Sequence, residues 1–176
     1  MNPESMLKGR MAETLVEELL KQSGNIVYRF GYEALVQNLT QLEEKFDRFS
    51  EVGERIRAIP DFIVIDKKGK PEFLEVKFRW KPELHRDDYR LLEKINRFWG
   101  AKLVLVNCWE QPYFRISDPP YVDKNKRIRL RPLSSETNWK IDKGVYEECE
   151  RLVHRYLTPT LVPPRMNRPT KMIKYE

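Results

Sequence analysis

A carboxylate, a β-branched apolar residue and an ammonium follow one another at Glu75-Val76-Lys77, and a second carboxylate stands directly after a proline at Pro60-Asp61. Over residues 72–80 the sequence reads as a strand, where side chains two apart share a face. Glu75 and Lys77 then project together, while Leu74, Val76 and Phe78 turn into apolar packing. Residues 59–66 form a short apolar run, and Lys67-Lys68-Gly69-Lys70-Pro71 supplies the turn between the two, giving an antiparallel hairpin. Such pairing brings the start of the first strand near Glu75 and Lys77, so that three charges meet at one end of a sheet. Two carboxylates a few ångströms apart repel one another, and a divalent cation is the usual neutraliser. Mg²⁺, with Mn²⁺ as the substitute, suits such a pair: it takes oxygen ligands, keeps several waters and leaves room for a phosphate oxygen and an attacking water. An ammonium beside that water lowers its effective pKa and stabilises charge developing on phosphorus. Together these are the parts needed to hydrolyse a phosphodiester.

The surrounding sequence must hold them. Residues 7–22 carry Leu7, Met11, Leu15 and Leu19 at four-residue spacing, with Ala12 and Val16 beside them, which predicts an amphipathic helix stopped by Ser23-Gly24-Asn25. Residues 26–32 read as a strand that Gly31 bends or ends. A second helical pattern runs over 34–49. After the hairpin, residues 84–99 predict a helix ending at Gly100, and 101–108 is a strand apolar on both faces, as in the centre of a covered sheet. Residues 113–116 read as a short strand, 124–131 as a basic edge strand and 145–157 as a helix. The fold class expected is α/β, a mixed β-sheet flanked by helices. One domain over 1–157 is expected, with a core at 7–108, followed by a proline-rich basic tail over 158–176.

Composition limits the alternatives. With 176 residues, 40% hydrophobic and 34% charged, the chain is long enough to bury a core. The net charge of +6 comes from 33 basic against 27 acidic residues, so any attraction to phosphate depends on where the basic residues sit. Two cysteines, Cys108 and Cys149, build neither a disulfide framework nor a four-thiolate zinc site. No apolar run suggests a signal peptide or a membrane span, and a cytoplasmic location is the expectation.

Pro60-Asp61 followed after a short hairpin by Glu75-Val76-Lys77 resembles the PD-(D/E)XK nuclease superfamily, the restriction endonuclease-like proteins. Lys8-Gly9-Arg10-Met11-Ala12-Glu13 further resembles the Gly-x-x-x-Glu start of the first helix in archaeal Holliday junction resolvases. The resemblance covers about 7–108 and implies that Asp61, Glu75 and the carbonyl of Val76 hold the metal, with Lys77 at the nucleophile. It also implies a catalytic role for Glu13, for which Glu17 and Glu18 are rivals. The sequence departs from the family pattern in the 34–49 segment, and in Phe78-Arg79-Trp80 where a small polar residue often follows the lysine.

The resulting expectation is a metal-dependent endonuclease acting on duplex or branched DNA, as a possible homodimer. The alternative is a non-catalytic DNA-binding or assembly subunit on the same scaffold; RNA as the substrate is a third reading. Lys124, Lys126, Arg127, Arg129 and Arg131 are the candidate phosphate contacts, because cations spaced along an extended segment can follow a nucleic-acid backbone. The competing reading is a charged sheet edge that resists aggregation. Trp80, Tyr121 and Trp139 are candidates for base stacking or for core packing. His85 and His154 receive no role.

Overall fold

Leu-Val-Leu-Val in β4 (Lys102–Asn107) has no polar face to turn to water, and all six residues of this strand are buried. Around it, a computed structural model describing residues 3–31, 47, 49–123 and 127–158 forms a six-stranded mixed sheet. The strands lie in chain order: β1 (Ile26–Arg29), β2 (Phe62–Ile65), β3 (Pro71–Arg79), β4, β5 (Phe114–Ser117) and β6 (Arg131–Pro132). β3 and β4 are parallel and every other neighbouring pair is antiparallel. A parallel pair requires a crossover, supplied here by the helix that joins β3 to β4. The helices are α1 (Pro3–Gln22), α2 (Glu51–Arg57), α3 (Arg86–Trp99) and α4 (Lys143–Leu152), the last continued by a π-helical turn at Val153–Leu157. The expected α/β class and the order helix, strand, hairpin, helix, strand are both present.

The alternation of β3 divides the core in two. Leu74 and Val76 pack with Val104 and Val106 of β4, with Ala12, Val16, Leu19 and Leu20 of α1, and with Tyr146 and Cys149 of α4. On the opposite face Phe73 and Leu103 meet Leu92 and Ile95 of α3 and Ala58 at the end of α2. Of the apolar residues expected on the buried side of α1, Leu7 is exposed; Ala12, Val16 and Leu19 are buried together with Leu20, and Met11 and Leu15 are half-buried against them. Gly100 ends α3 in the left-handed conformation (φ 57°), where its N–H donates to the carbonyls of Ile95 and Asn96.

Three expectations change. First, α2 was not anticipated, because Val52 and Gly53 interrupt its pattern. It starts where Ser50 caps it, with the hydroxyl accepting from Gly53 N–H at 3.1 Å. Second, β1 stops at Arg29, since the N–H groups of Phe30 and Gly31 both turn to the carbonyl of Asp61 (2.8 and 3.0 Å). Third, among the described residues of the edge strand expected over 124–131, only Arg131 lies in a strand, β6, with Pro132. Ahead of it the chain folds back on itself: Val122 bridges to Ile128, Asp123 N–H donates to the Arg127 carbonyl at 2.8 Å, and the Asp123 carboxylate accepts from Arg127 N–H at 2.9 Å. The helix expected over 34–49 falls almost wholly outside the described residues, as do Lys124, Lys126 and the tail beyond 158. Among the described residues no helix is long and apolar enough to cross a membrane.

Candidate active site

Phe62 of β2 pairs with Leu74 of β3, so Asp61, one residue before β2, comes level with Glu75. The Asp61 side chain crosses between the strands and its Oδ2 accepts from Val76 N–H at 2.8 Å. Glu75 and Lys77, on one face of β3, form an ion pair in direct contact. Glu75 is only 4% exposed, which distinguishes this pair from a solvated surface bridge: both partners lose hydration and depend on each other.

The charges do not balance. Burial, then the neighbouring Glu75 carboxylate, holds the Asp61 carboxyl well above its ordinary value of 3.8. Lys77 and the Val76 N–H oppose this shift, and Glu13 adds to it. Burial alone would push the Lys77 ammonium down, but the carboxylates of Glu75 and Asp61 outweigh it and hold Lys77 above its ordinary 10.5. Two carboxylates therefore share one ammonium, and burial beside Glu75 opposes the ionisation of Asp61.

Glu13 lies on α1, which packs on the opposite face of the sheet, yet its charge reaches Asp61. Its rivals are engaged elsewhere. Glu17 is buried and bridges Lys21 (2.7 Å) and Arg29 (2.5 Å), and exposed Glu18 accepts from Gln22 at 3.2 Å. Among the described residues, no three His, Cys, Asp or Glu side chains converge to hold an ion by themselves. A cation at this point would rest on Asp61, Glu75 and a backbone carbonyl, with solvent or phosphate oxygens completing its shell, which is the usual habit of Mg²⁺.

The basic run divides. Arg131 is a structural residue: its guanidinium donates to Glu136 at 2.6 Å and to Asp118 at 2.9 Å. The same carboxylates meet buried Lys102 at 3.2 and 3.7 Å, beside Glu72 at 3.1 Å. Arg127 and Arg129 are exposed, although one guanidinium nitrogen of Arg129 donates to the Pro120 carbonyl at 2.9 Å. Tyr121 and Trp139 are core residues; the Tyr121 hydroxyl donates to Ala101 and the Trp139 indole to Glu72. Both histidines are exposed.

Arg79 received no role from the sequence. Its Nε donates to Asp88 Oδ2 at 2.7 Å, and Asp88, buried in the first turn of α3, also accepts from His85 N–H at 2.8 Å. The pair ties the start of α3 to the strand end that carries Lys77. Glu75, Lys77 and Arg79 fall at successive two-residue steps, the one signal in the sequence that could have revealed it.

No family model matches the chain, and neither does any curated protein. Among solved structures, Hjc, a Holliday junction resolvase from the archaeal hyperthermophile Archaeoglobus fulgidus, is similar at 20% identity. The match covers 79% of this chain and 89% of that one, with a TM-score of 0.36.

Proposed function

We propose that this chain is a Mg²⁺- or Mn²⁺-dependent endodeoxyribonuclease of the PD-(D/E)XK type, acting on duplex or branched DNA. One observation carries the reading: Asp61 and Glu75, from adjacent strands and withdrawn from water, face a single ammonium, Lys77. The donors are all oxygens, which fits Mg²⁺ or Mn²⁺ and disfavours soft thiophilic ions. Asp61 commits Oδ2 to the Val76 N–H, leaving Oδ1 for a cation; Glu75 and the Val76 carbonyl complete the protein's share. When bound, the ion would polarise a phosphate oxygen and acidify a water.

The chain's own residues do the rest. The Val76 N–H fixes the orientation of Asp61. Burial keeps the site's field strong, because little water remains to screen it. Lys77 offers positive charge to a nucleophilic water and to the phosphorane oxygens as they gain charge. Glu13, on α1, adds negative charge that is felt at Asp61. Cuts in both strands of one substrate would take two such sites, hence a homodimer.

The test is incubation of the protein with plasmid and with four-way junctions in Mg²⁺ or Mn²⁺. Cleavage that EDTA stops and Asp61→Ala abolishes is the expected result. No cleavage by the parent, or cleavage that survives Asp61→Ala, overturns the proposal.

A further inference from the structure

Phe73, Glu75, Lys77 and Arg79 fall at two-residue steps and share the face of β3 that α3 covers. Arg79 meets Asp88 in the first turn of α3, and Phe73 packs edge-on against Trp99 in the last, with ring centroids 5.3 Å apart. The helix therefore runs back along this face, and its middle, at Arg90 and Lys94, comes level with Glu75 and Lys77. Beside it lies α2, held by the ion pair of Lys94 with Glu54 at 2.5 Å and by the Trp99 indole, which donates to the Arg55 carbonyl at 3.3 Å. Between the two helices opens a cleft of about 350 Å³ lined by Glu54, Arg57, Ala58, Arg90, Leu91 and Lys94. Arg57 ends α2 four residues before Asp61, so the Cα atoms of the two lie within about 14 Å of each other.

Three cations line this cleft against one carboxylate. Lys94 is bound to Glu54; Arg57 and Arg90 are exposed, the latter 4.0 Å from exposed Asp87. The Glu54 carboxyl is held below its ordinary 4.5, first by its bond to Lys94 and further by the charges of Lys94, Arg57 and Arg97. Along α3, Arg86, Arg90, Lys94 and Arg97 follow at steps of four, four and three residues, a row on one side of the helix about 16 Å long. One strand of a duplex presents a phosphate about every 3.4 Å along its axis, so about five face such a row.

We propose that the cleft between α2 and α3 holds the DNA backbone beside the Asp61, Glu75 and Lys77 site, with Arg57, Arg90 and Lys94 on phosphates that flank the scissile one. A guanidinium donates in pairs to phosphate oxygens, and an ammonium adds a point charge. None of the residues lining the cleft is aromatic, so the contact grips backbone and leaves the bases unread. An acidic protein segment could satisfy the same cations, but the place of the cleft on the face of Glu75 and Lys77, next to the helix that leads into Asp61, favours the substrate. The proposal rests on the nuclease reading and deepens it: duplex is held here by charge, without regard to sequence.

Anisotropy of labelled duplexes of two unrelated sequences, titrated with the full chain in EDTA over a salt series, tests this without catalysis. Arg57→Gln combined with Arg90→Gln should bind both duplexes about tenfold more weakly and lower the slope of log K against log salt by about 2. Arg57→Lys with Arg90→Lys should keep the slope. An equal loss of charge on the opposite face of the sheet, Lys143→Gln with Arg151→Gln at exposed positions of α4, should change neither quantity. Should the paired Gln variant melt below the parent, each single Gln variant should still lower the slope by about 1. No binding by the parent, or an unchanged slope, overturns the cleft; an equal loss in the α4 variant also overturns it and assigns the effect to net charge. A polyglutamate peptide that binds the parent more tightly than duplex does, and loses that affinity in the paired variant, reassigns the cleft to an acidic protein partner. The two proposals fail separately: binding through the cleft without cleavage of any DNA leaves the cleft and removes the nuclease, while cleavage by the paired variant with unaltered KM for duplex does the reverse.

Discussion

The Val76 N–H donates to Asp61 Oδ2 at 2.8 Å, which fastens the carboxylate at the head of β2 to the strand that carries Glu75 and Lys77. This bond sets the spacing of the two acidic groups, and it holds Asp61 where burial and Glu75 both oppose its ionisation.

Asp61→Asn should therefore stabilise the fold at neutral pH, since an amide oxygen still accepts from Val76 and carries no charge. The sign follows from linkage: the folded pKa is raised above the unfolded one, so below the ordinary value of 3.8 the carboxyl is neutral in both states and costs nothing. As pH rises above that value the unfolded chain ionises first, and the native state loses stability until its own carboxyl ionises. Thermal melts in EDTA should show parent and variant converging near pH 3 and the variant higher at pH 7, by about 2–4 °C for each kcal/mol gained.

Lys77→Met leaves two buried carboxylates without their cation and should cost about 3–5 kcal/mol in chemical denaturation. Adding Glu75→Gln should return most of that loss. Mg²⁺ should raise the melting temperature of Lys77→Met more than that of the parent, because the ion replaces the missing charge. In cleavage assays at saturating Mg²⁺, Lys77→Met should lower turnover by about 10²–10³-fold.

Arg79→Ala breaks the paired contact with Asp88 and frees the start of α3, at a cost of about 2 kcal/mol. Arg79→Lys should recover less than half of this, because an ammonium cannot supply the two parallel donors of a guanidinium. Urea denaturation at matched pH measures both.

Within the basic run, Arg131→Ala should reduce stability and leave the salt dependence of DNA binding unchanged, because Asp118 and Glu136 already hold that guanidinium. Arg127→Ala should leave stability unchanged and lower the slope of log K against log salt by about 1. A gel-shift series over salt, beside melts of each variant, separates the two roles.

Period-2 alternation in β3, the doubly apolar run of β4 and the Gly100 cap are local signals, and with them the hairpin and the order of the main elements were legible in the sequence. Proximity of Asp61 to Glu75 followed from hairpin geometry alone. What the sequence concealed depends on long-range pairing. Arg131 looked like its neighbours in an alternating basic run, but Glu136 and Asp118 claim it only once β5 and β6 lie side by side. Tyr121, Trp139 and Trp80 were indistinguishable until packing buried two of them and left the third in solvent. Nor did the alternating pattern reveal that Arg127 N–H donates to the Asp123 carboxylate, a short-range partner off the sheet.

Electron paramagnetic resonance of added Mn²⁺ reads the cation site without requiring turnover. One tightly held ion per chain is expected, weakened by a factor of 10 or more in Glu75→Gln and in Asp61→Asn, two variants that keep the shape of the site, by the same order as other ligand losses. Mn²⁺ that stays free in the presence of the parent chain, or that binds both variants as tightly as the parent, would contradict a metal-dependent site at Asp61 and Glu75.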